Sequence, residues 1–264
     1  MSQPPRPISS DIAHSTSERI VIHGLDLTTD LIGVVGLGDM AFLEIKGRLP
    51  NPGESVVVNA LLVALVEHGL TPSALAARLT LLGAPDALQA AVASGLLGLG
   101  DVFVGSIEGA ARMLQEGLMG ADQDVSGIAR QIVADHRARG VILPGLGHPI
   151  HRAADPRTSR LFAVAEANGV AGRHAELMRA IGAEAEAAYG RVLPVNVTGA
   201  IGAIASDLQI PWRISRALGV MARAVGLAGH LLEEMEHPIA GELWRRVEHE
   251  SSSSLVGQTK EAEA

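Results

Sequence analysis

Residues 144–161 bring several groups that could do chemistry into one short segment: two histidines, three arginines, an aspartate and two glycines. His148 can exchange a proton near neutral pH. Glycines let a backbone approach a ligand closely. Asp155-Pro156 is typical of a helix N-cap followed by the first helical residue, so the spacing predicts a loop that leads into a helix near Arg157.

The charged residues of this segment allow three interpretations. Arg157 could form a bidentate pair with a carboxylate and Arg152 could meet a phosphate, beside a helix N-terminus whose N–H groups attract anions. His148 and His151 could instead bind zinc if they shared a helix face, but the surrounding prolines and glycines favour a loop. A solvated surface is the third interpretation. Anion binding is favoured because it explains why the arginines and glycines gather with the histidines, and no metal is expected.

The composition favours a helical protein and argues against several kinds of binding site. Of 264 residues, 47% are hydrophobic and only 2% aromatic, which favours a core of Leu, Val, Ile and Ala between closely packed helices. The chain has no cysteine and a net charge of −8, so disulfides, thiolate metal sites and a general attraction to nucleic acid are not expected. Apolar runs are interrupted before about 18 residues, and the first 18 residues have no apolar core of a secretory signal. We expect a cytoplasmic protein without a membrane or nucleic-acid partner.

Hydrophobic periodicity and helix-boundary signals predict an all-α protein. Arg19–His23 is the one strand signal. Residues 1–18 and 251–264 are rich in Pro, Ser and charged residues and predict a disordered leader and a flexible tail, which leaves 19–250 as the folded domain. Helices are predicted at 26–32, 37–46, 56–66, 73–82, 84–97, 101–118, 122–139, 158–168, 173–189, 194–208, 212–236 and 240–248.

The motif Gly145-Leu-Gly-His148, followed nine residues later by the arginine of Asp155-Pro-Arg157, resembles the signature of the citrate synthase superfamily. The resemblance extends over roughly residues 20–248 and favours the citryl-CoA lyase branch, which includes the C-terminal module of ATP citrate lyase. It implies a citrate-synthase-like multi-helical fold with a large and a small helical sub-domain, the small one at roughly 122–210. It also implies that an acyl-CoA (coenzyme A) thioester and a di- or tricarboxylate are the small-molecule partners, that no metal is needed, and that the protein is a homodimer or a higher homo-oligomer.

The same resemblance implies residue roles. His148 corresponds to the histidine that exchanges a proton with the citryl hydroxyl, and His68 to a lyase-branch histidine that contacts the substrate. Arg157 and Arg223 correspond to arginines that bind substrate carboxylates. A third such arginine, which reaches across a dimer interface in the family, corresponds loosely to Arg245 or Arg246.

Coenzyme A is expected to contact the glycine loop before His148, and Asn196 is expected at the substrate. Arg152 corresponds to an arginine that meets a phosphate of coenzyme A. The backbone of the loop would form part of the coenzyme A site, through Pro144, Gly145, Leu146 and Gly147.

Two positions depart from the family pattern. Where full-length citrate synthases carry a histidine that polarises the thioester carbonyl, this chain has Phe103, which favours the lyase-like members. In Asn196-Val-Thr198-Gly199, Thr198 stands where the family has an aspartate that takes or returns the proton at the acetyl methyl carbon. A threonine hydroxyl cannot act as a general base near pH 7, and losing such a base costs about 10²- to 10⁴-fold in rate. Asp207 is not expected to replace it, because nine helical residues separate the two by roughly 13 Å along the axis.

Two functional hypotheses follow. The first is a citryl-CoA lyase-like enzyme that cleaves or forms a carbon–carbon bond of a 3-hydroxyacyl-CoA, such as citryl-CoA, with acetyl-CoA and oxaloacetate as the other side of the reaction. The alternative, motivated by Thr198, is a catalytically impaired acyl-CoA-binding homologue or a family member with an altered substrate. Thr198 itself is included among the candidate catalytic residues because of its position.

One further cluster lies at the end of the long predicted helix 212–236. There His230, Glu233, Glu234 and Glu236 come close to His237 in sequence. A solvated helix end with charge pairs is the expected explanation.

Overall fold

The computed structural model describes residues 9–120, 124–147 and 155–262, and most of these residues lie in helices. The all-α prediction is therefore confirmed. The α-helices of the described residues are α1 Leu37–Lys46, α2 Pro52–Val66, α3 Pro72–Gly83, α4 Leu88–Leu97, α5 Gly105–Gly117, α6 Val125–Arg139, α7 Pro156–Ala167, α8 Arg173–Tyr189, α9 Val197–Asp207, α10 Trp212–Glu236 and α11 Ala240–Ala262. Two π-helical turns, Leu27–Leu31 and Gly100–Val104, replace the predicted helix at 26–32 and the first turn of the one at 101–118.

The helix boundaries follow local rules. Thr71 caps α3, whose first residue is Pro72, by accepting a hydrogen bond from the Ala74 N–H group. Gly140 and Gly190 end α6 and α8 in the left-handed conformation, which glycine adopts without a steric penalty. Sequence therefore sets these ends without help from distant contacts.

A small antiparallel sheet precedes the helices. Its strands are β1 Ala13–Ser15, β2 Ile20–Ile22 and β3 Leu25–Asp26, with Ala13 opposite Ile22 and Val21 opposite Asp26. The predicted strand at 19–23 is confirmed as β2. The disordered leader at 1–18 needs correction at its end, because the backbone of β1 pairs with β2.

The last helix is longer than the sequence indicated. α11 continues to Ala262, whereas the prediction ended it at 248 and assigned 251–264 to a flexible tail. The serines that suggested a loose tail bond back into the helix, since the hydroxyls of Ser251 and Ser252 both donate to the carbonyl of Glu248, at 3.2 and 2.8 Å. Such local bonds satisfy serine hydroxyls without interrupting a helix.

The chain forms two compact units. The first comprises the described residues up to Val63 and those from Ile107 to Ser215. In it α6 packs against α8, and α7 and α8 pack against α9, which is buried along nearly all of its length. At Gly202 a Cβ atom would lie 2.9 Å from the carbonyl oxygen of Ile107, so a glycine lets α9 approach α5 closely. The glycine- and alanine-rich composition thus serves tight helix packing.

The second unit comprises residues from Ala64 to Ser106 and the described residues from Arg216 onward. Its core joins α3, α4 and α10 through Ala77, Leu81, Ala91, Leu227 and Leu231, and α11 packs against α3. The small sub-domain expected at 122–210 does not coincide with either unit, and that boundary stays a prediction.

Within residues 9–120, 124–147 and 155–262, no single helix is both long and apolar enough to cross a membrane. The segments Leu88–Leu97 and Gly100–Gly117 meet the requirement together by length and composition, but they are bent by 64°.

Candidate active site

The glycine loop of residues 144–147 lies against the segment that leads into α9. The Gly147 N–H group donates to the Pro194 carbonyl at 2.8 Å, and the Asn196 N–H group donates to the Gly145 carbonyl at 2.9 Å. The loop therefore binds residues that are about fifty positions away in sequence, as the citrate synthase resemblance implies.

Glycine is required in this loop for two reasons. Gly145 and Gly147 have φ angles of +84° and +75°, which side chains rarely allow. In addition, a Cβ atom on Gly145 would lie 2.6 Å from the Cα atom of Gly199. Between the glycines, Leu146 pairs with Val195 in an antiparallel bridge. Gly199, the last residue of the motif Asn196-Val-Thr-Gly, is thus a candidate site residue that was not predicted, because it leaves space for Gly145.

Asn196 joins the loop to α9. Its side-chain oxygen caps the helix by accepting from the N–H groups of Thr198 at 3.0 Å and Gly199 at 3.1 Å. Its side-chain Nδ2 group donates to the carbonyl of Gly147 at 2.7 Å. Gly147 immediately precedes His148, which lies outside the described residues. Asn196 therefore fixes the backbone one residue before the predicted catalytic histidine.

The Thr198 hydroxyl already has a partner. It donates to the side-chain oxygen of Asn196 at 2.6 Å, in the first turn of α9. Asp207, at the other end of α9, is also committed, because it accepts from three backbone N–H groups at the start of α8, those of Gly172, His174 and Ala175. Asp207 therefore serves as a helix cap, in agreement with the expectation that it does not replace the family aspartate.

Asp155 is the buried anchor of the predicted Asp-Pro-Arg motif. Its carboxylate caps α7 at the Arg157 N–H group (3.0 Å), accepts the Nε and Nη2 groups of Arg157 (3.1 and 3.0 Å), and accepts the Val197 N–H group at 3.2 Å. Burial raises the pKa of Asp155, but the bonds from Arg157 outweigh it and hold the pKa below its usual value. The N-termini of α7 and α9 therefore meet at one carboxylate, and two donor groups of Arg157 are committed to it.

A cavity of about 550 Å³ opens beside Asp155. Its walls come from α7, α8 and the segment before Asn196, and they include Phe162 and Pro194. Arg179 stacks on the Phe162 ring at 4.3 Å and pairs with Glu166. The first unit thus has a mostly apolar depression next to the loop, of a size that could hold part of a small molecule.

In the second unit, Glu67 organises the turn after α2. Its Oε1 atom accepts from the N–H groups of His68 at 2.8 Å and Gly69 at 2.6 Å, and it lies 3.0 Å from His230 Nε2. Burial raises the pKa of Glu67, but these hydrogen bonds outweigh it and lower the pKa overall. His68 itself is exposed. The carboxylate therefore sets the backbone that carries this predicted catalytic histidine.

Arg223 lies on α10 beside the same carboxylate. Its side chain is 9% exposed, and its Nη1 atom is 3.8 Å from Glu67 Oε1, too far for a hydrogen bond. Among the described residues this buried Nη1 atom has no hydrogen-bond partner. Burial lowers the pKa of Arg223, an effect that Glu67 partly offsets. A buried guanidinium that is incompletely paired is suited to accept a carboxylate ligand.

A close helix contact brings these groups together. A Cβ atom on Gly226 would collide with the backbone carbonyl of Val66, the last residue of α2. Arg223, Gly226 and His230 are three and four residues apart and share one face of α10. The absence of a side chain at Gly226 lets this face approach the end of α2.

The charged cluster at the end of α10 is solvated only in part: Glu233, Glu236 and His237 are exposed, as expected, whereas His230 and Glu234 are largely buried against α3, which corrects the expectation for these two. Arg78 of α3 is fully buried; it donates from Nη1 to Glu234 at 2.9 Å and also pairs with Glu233. Its Nη2 atom lies 2.9 Å from His230 Nδ1. Glu234 is 5% exposed. Arg78 was not among the predicted site residues. It is the single charged residue of the apolar helix α3, a pattern that is typical of a buried ion pair.

Of the remaining predicted residues, Arg245 and Phe103 have exposed side chains, and three others lie outside the described residues. Arg245 is on α11 with a side chain that is 71% exposed, paired with Glu242 at 3.2 Å. Phe103 is 46% exposed in the turn before α5. Residues His148, His151 and Arg152 lie outside the described residues. Within the residues that the structure does describe, no three His, Asp or Glu side chains are grouped so as to hold a metal ion.

The predicted residues fall into two groups. In the first unit the structure brings together the loop, Asn196, Thr198 and, through Asp155, Arg157; Pro144 begins this loop and lies close to Gly109 of α5. In the second unit it brings together His68 and Arg223 through Glu67.

Comparison with known proteins gives one family. The model of the citrate synthase C-terminal domain matches residues 36–246. The structure of citryl-CoA lyase from Hydrogenobacter thermophilus is 33% identical and superimposes with a TM-score of 0.81, covering 88% of this chain and 88% of that one. The predicted citrate-synthase-like fold is confirmed by this match.

Two further relatives are more distant, one found by structure and one by sequence. ATP citrate lyase from Methanothrix soehngenii, in complex with citrate and coenzyme A, is 23% identical with a TM-score of 0.74, covering 89% of this chain and 40% of that one. Putative citrate synthase 2 of Mycobacterium tuberculosis is 28% identical over 190 residues, which are 70% of this chain and 49% of that protein. The chain spans about half the length of the curated relatives that it matches.

Proposed function

The chain belongs to the citrate synthase family, and on that basis we propose that it is a citryl-CoA lyase-like enzyme. It cleaves, or forms, a carbon–carbon bond of a 3-hydroxyacyl-CoA such as citryl-CoA, with acetyl-CoA and oxaloacetate as the other side of the reaction. The observation that carries the proposal is the match to the Hydrogenobacter citryl-CoA lyase, because it exceeds 30% identity and covers 88% of both chains.

The proposed cleavage begins at the citryl hydroxyl. His148 removes the hydroxyl proton, the oxygen forms the carbonyl of oxaloacetate, and the electrons of the breaking carbon–carbon bond move to the thioester as an enolate. Protonation of that enolate by water gives acetyl-CoA, and His148 returns the hydroxyl proton to solvent. The hydrogen bond from Asn196 to Gly147 supports this role, since it fixes the backbone directly before His148.

Two arginines are proposed to bind the substrate carboxylates. Arg223 is supported by its buried and incompletely paired Nη1 group. Arg157 would use its Nη1 edge, because its Nε and Nη2 groups are held by Asp155. The loop 144–147 and Arg152 are proposed to hold coenzyme A.

A second candidate function rests on Thr198. Its hydroxyl proton is donated to Asn196, so this side chain does not present an acid to the enolate. Deprotonation of the citryl hydroxyl does not need that position, whereas removing a proton from the acetyl methyl group does. Cleavage can therefore begin without a carboxylate at this position, but the enolate that it forms must then take its proton from water, which slows turnover. A protein that binds acyl-CoA without turnover is the alternative.

The test is a direct assay of cleavage. Purified protein is mixed with (3S)-citryl-CoA, and oxaloacetate is measured by a malate dehydrogenase coupled assay while coenzyme A binding is measured by calorimetry. Turnover that is lost in Arg223→Met supports the lyase. Binding of coenzyme A without any oxaloacetate, for citryl-CoA and for methylcitryl-CoA and citramalyl-CoA, would establish the alternative instead.

Two less specific proposals remain. The cysteine-free composition supports action in the cytoplasm, and the family resemblance supports a homodimer or a higher homo-oligomer. Light scattering of the purified chain at micromolar concentration measures the second directly, and a monomeric mass would refute it.

A further inference from the structure

We propose that His230 is a positioning residue: it holds the carboxylate of Glu67 so that this carboxylate orders the His68 turn and stays beside Arg223. The inference rests on the proposed function, because that function places His68 and Arg223 at the substrate. His230 itself is not proposed to touch substrate.

The hydrogen-bond partners of His230 determine which ring nitrogen carries the proton. Nδ1 lies 2.9 Å from Arg78 Nη2. A guanidinium can only donate, so Nδ1 must accept. In the neutral ring the proton is therefore on Nε2, which faces Glu67 Oε1 at 3.0 Å. The tautomer, inferred here from the partners, makes His230 a donor to Glu67.

Arg78 gives this arrangement a rigid base. Its side chain is fully buried, and Glu234, which holds it at 2.9 Å, also accepts from the backbone N–H groups of Ile239 and Ala240 at 3.0 and 2.8 Å. The carboxylate that holds Arg78 is therefore itself fixed by the start of α11. A side chain fixed in this way orients the ring of His230, much as an outer partner orients a functional histidine in other sites.

Glu67 needs such a partner because it is otherwise open to solvent. Its side chain is 48% exposed, whereas that of His230 is 10% exposed. A single oxygen of Glu67 accepts hydrogen bonds from the N–H groups of His68 and Gly69 and from the imidazole of His230. Rotation of the carboxylate away from His230 would release both backbone groups and lengthen the 3.8 Å approach to Arg223.

A purely structural role for His230 is the competing explanation, and two conservative variants separate the two. The asparagine oxygen in His230→Asn can take the place of Nδ1 and accept from Arg78, but the side chain is too short to reach Glu67. The glutamine amide in His230→Gln can reach the position of Nε2 and donate to Glu67. If His230 positions Glu67, only the His230→Asn variant should impair the site. If His230 has a purely structural role, the His230→Asn and His230→Gln variants should have similar effects.

The experiment measures steady-state kinetics with citryl-CoA and, independently, amide hydrogen exchange at His68 and Gly69. His230→Asn is expected to raise KM for citryl-CoA at least tenfold, to leave coenzyme A binding unchanged, and to speed exchange of the two amides about tenfold. His230→Gln should restore both quantities to within about threefold of the parent protein. The proposal would be overturned if amide exchange at His68 and Gly69 were unchanged in the His230→Asn variant. It would also be overturned if a folded His230→Gln variant showed the same increase as His230→Asn.

The exchange measurement does not depend on turnover. If the parent protein has no lyase activity and the two variants still differ in amide exchange, the proposed function fails while the positioning role of His230 stands. If His230→Asn does not fold, the Gln variant decides, because a folded Gln protein with lost protection at His68 and Gly69 contradicts the proposal.

Discussion

The side-chain amide of Asn196 donates to the carbonyl of Gly147 at 2.7 Å, while the oxygen of the same side chain caps α9. One residue therefore caps its own helix and also binds a backbone carbonyl 49 positions earlier in the sequence. Because the donor and the acceptor of the amide have separate tasks, the two tasks can be separated by substitution.

Asn196→Asp keeps a capping oxygen and removes the donor to Gly147. Helix stability should change little, since aspartate is a good N-cap. The rate constant kcat for cleavage should fall about tenfold or more, because a lost hydrogen bond is worth roughly 1 kcal/mol and a carboxylate would repel the carbonyl. Asn196→Ala is the matched control: it should lower kcat and also the unfolding free energy, by about 0.5–2 kcal/mol. Unaltered kcat in the Asp variant would contradict this role.

Thr198→Asp would restore a carboxylate where the family has one. If the rest of the site is intact, exchange of the acetyl-CoA methyl protons with solvent deuterium, measured by NMR, should rise about 10²- to 10⁴-fold. Thr198→Val is the control, because it keeps the branched shape and adds no base. A folded Asp variant without any gain would indicate a site built for another substrate.

Arg223→Met should weaken substrate binding without weakening the fold. The guanidinium is buried, and its Nη1 atom has no hydrogen-bond partner among the described residues; replacing a poorly compensated buried charge by an apolar side chain is often neutral or stabilising. By contrast, kcat/KM for citryl-CoA should fall about 30- to 1,000-fold with loss of a buried charge pair to the substrate. Thermal unfolding and kinetics on the same preparation check both parts. A large drop in Tm with little change in kcat/KM would assign Arg223 to the fold instead.

Gly226→Ala should disturb the second unit. The new methyl group would collide with the Val66 carbonyl, and a backbone atom cannot move aside as a flexible side chain can. Overpacking of this kind costs about 1–3 kcal/mol. Urea unfolding measures the cost. Gly229→Ala is the control on the same helix, because nothing lies within 4 Å of a Cβ atom there; equal effects of the two substitutions would refute the close contact.

Asp155 should make stability depend on pH in the acid range. Its folded pKa is lowered, because the bonds from Arg157 outweigh burial, while the unfolded pKa is near 4. Its contribution is therefore complete above about pH 5 and is lost as the pH falls through the lower folded value. Asp155→Asn, which cannot ionise, should be less stable than the parent at pH 7, and the difference should shrink toward pH 3. A difference that is independent of pH would show that the charge of Asp155 contributes nothing.

The local structure was predictable to the extent that it rests on neighbouring residues. Asp155-Pro156 and Thr71-Pro72 begin helices where the sequence placed them, since capping involves groups two or three residues apart. The end of α11 was placed too early, because serine hydroxyls that bond back into a helix look the same in sequence as a polar tail.

By itself, the sequence determined the helical class and the family signature, and it predicted Asn196, Thr198 and Arg223 as site positions. Only tertiary structure decided which distant groups meet: Asp155 accepts from the Val197 N–H group, Asn196 donates to Gly147, and Arg78 is buried with Glu234. The reason is physical. Capping and periodicity depend on residues close in the chain, whereas burial and the choice of partner for a charged group depend on which helix packs against it.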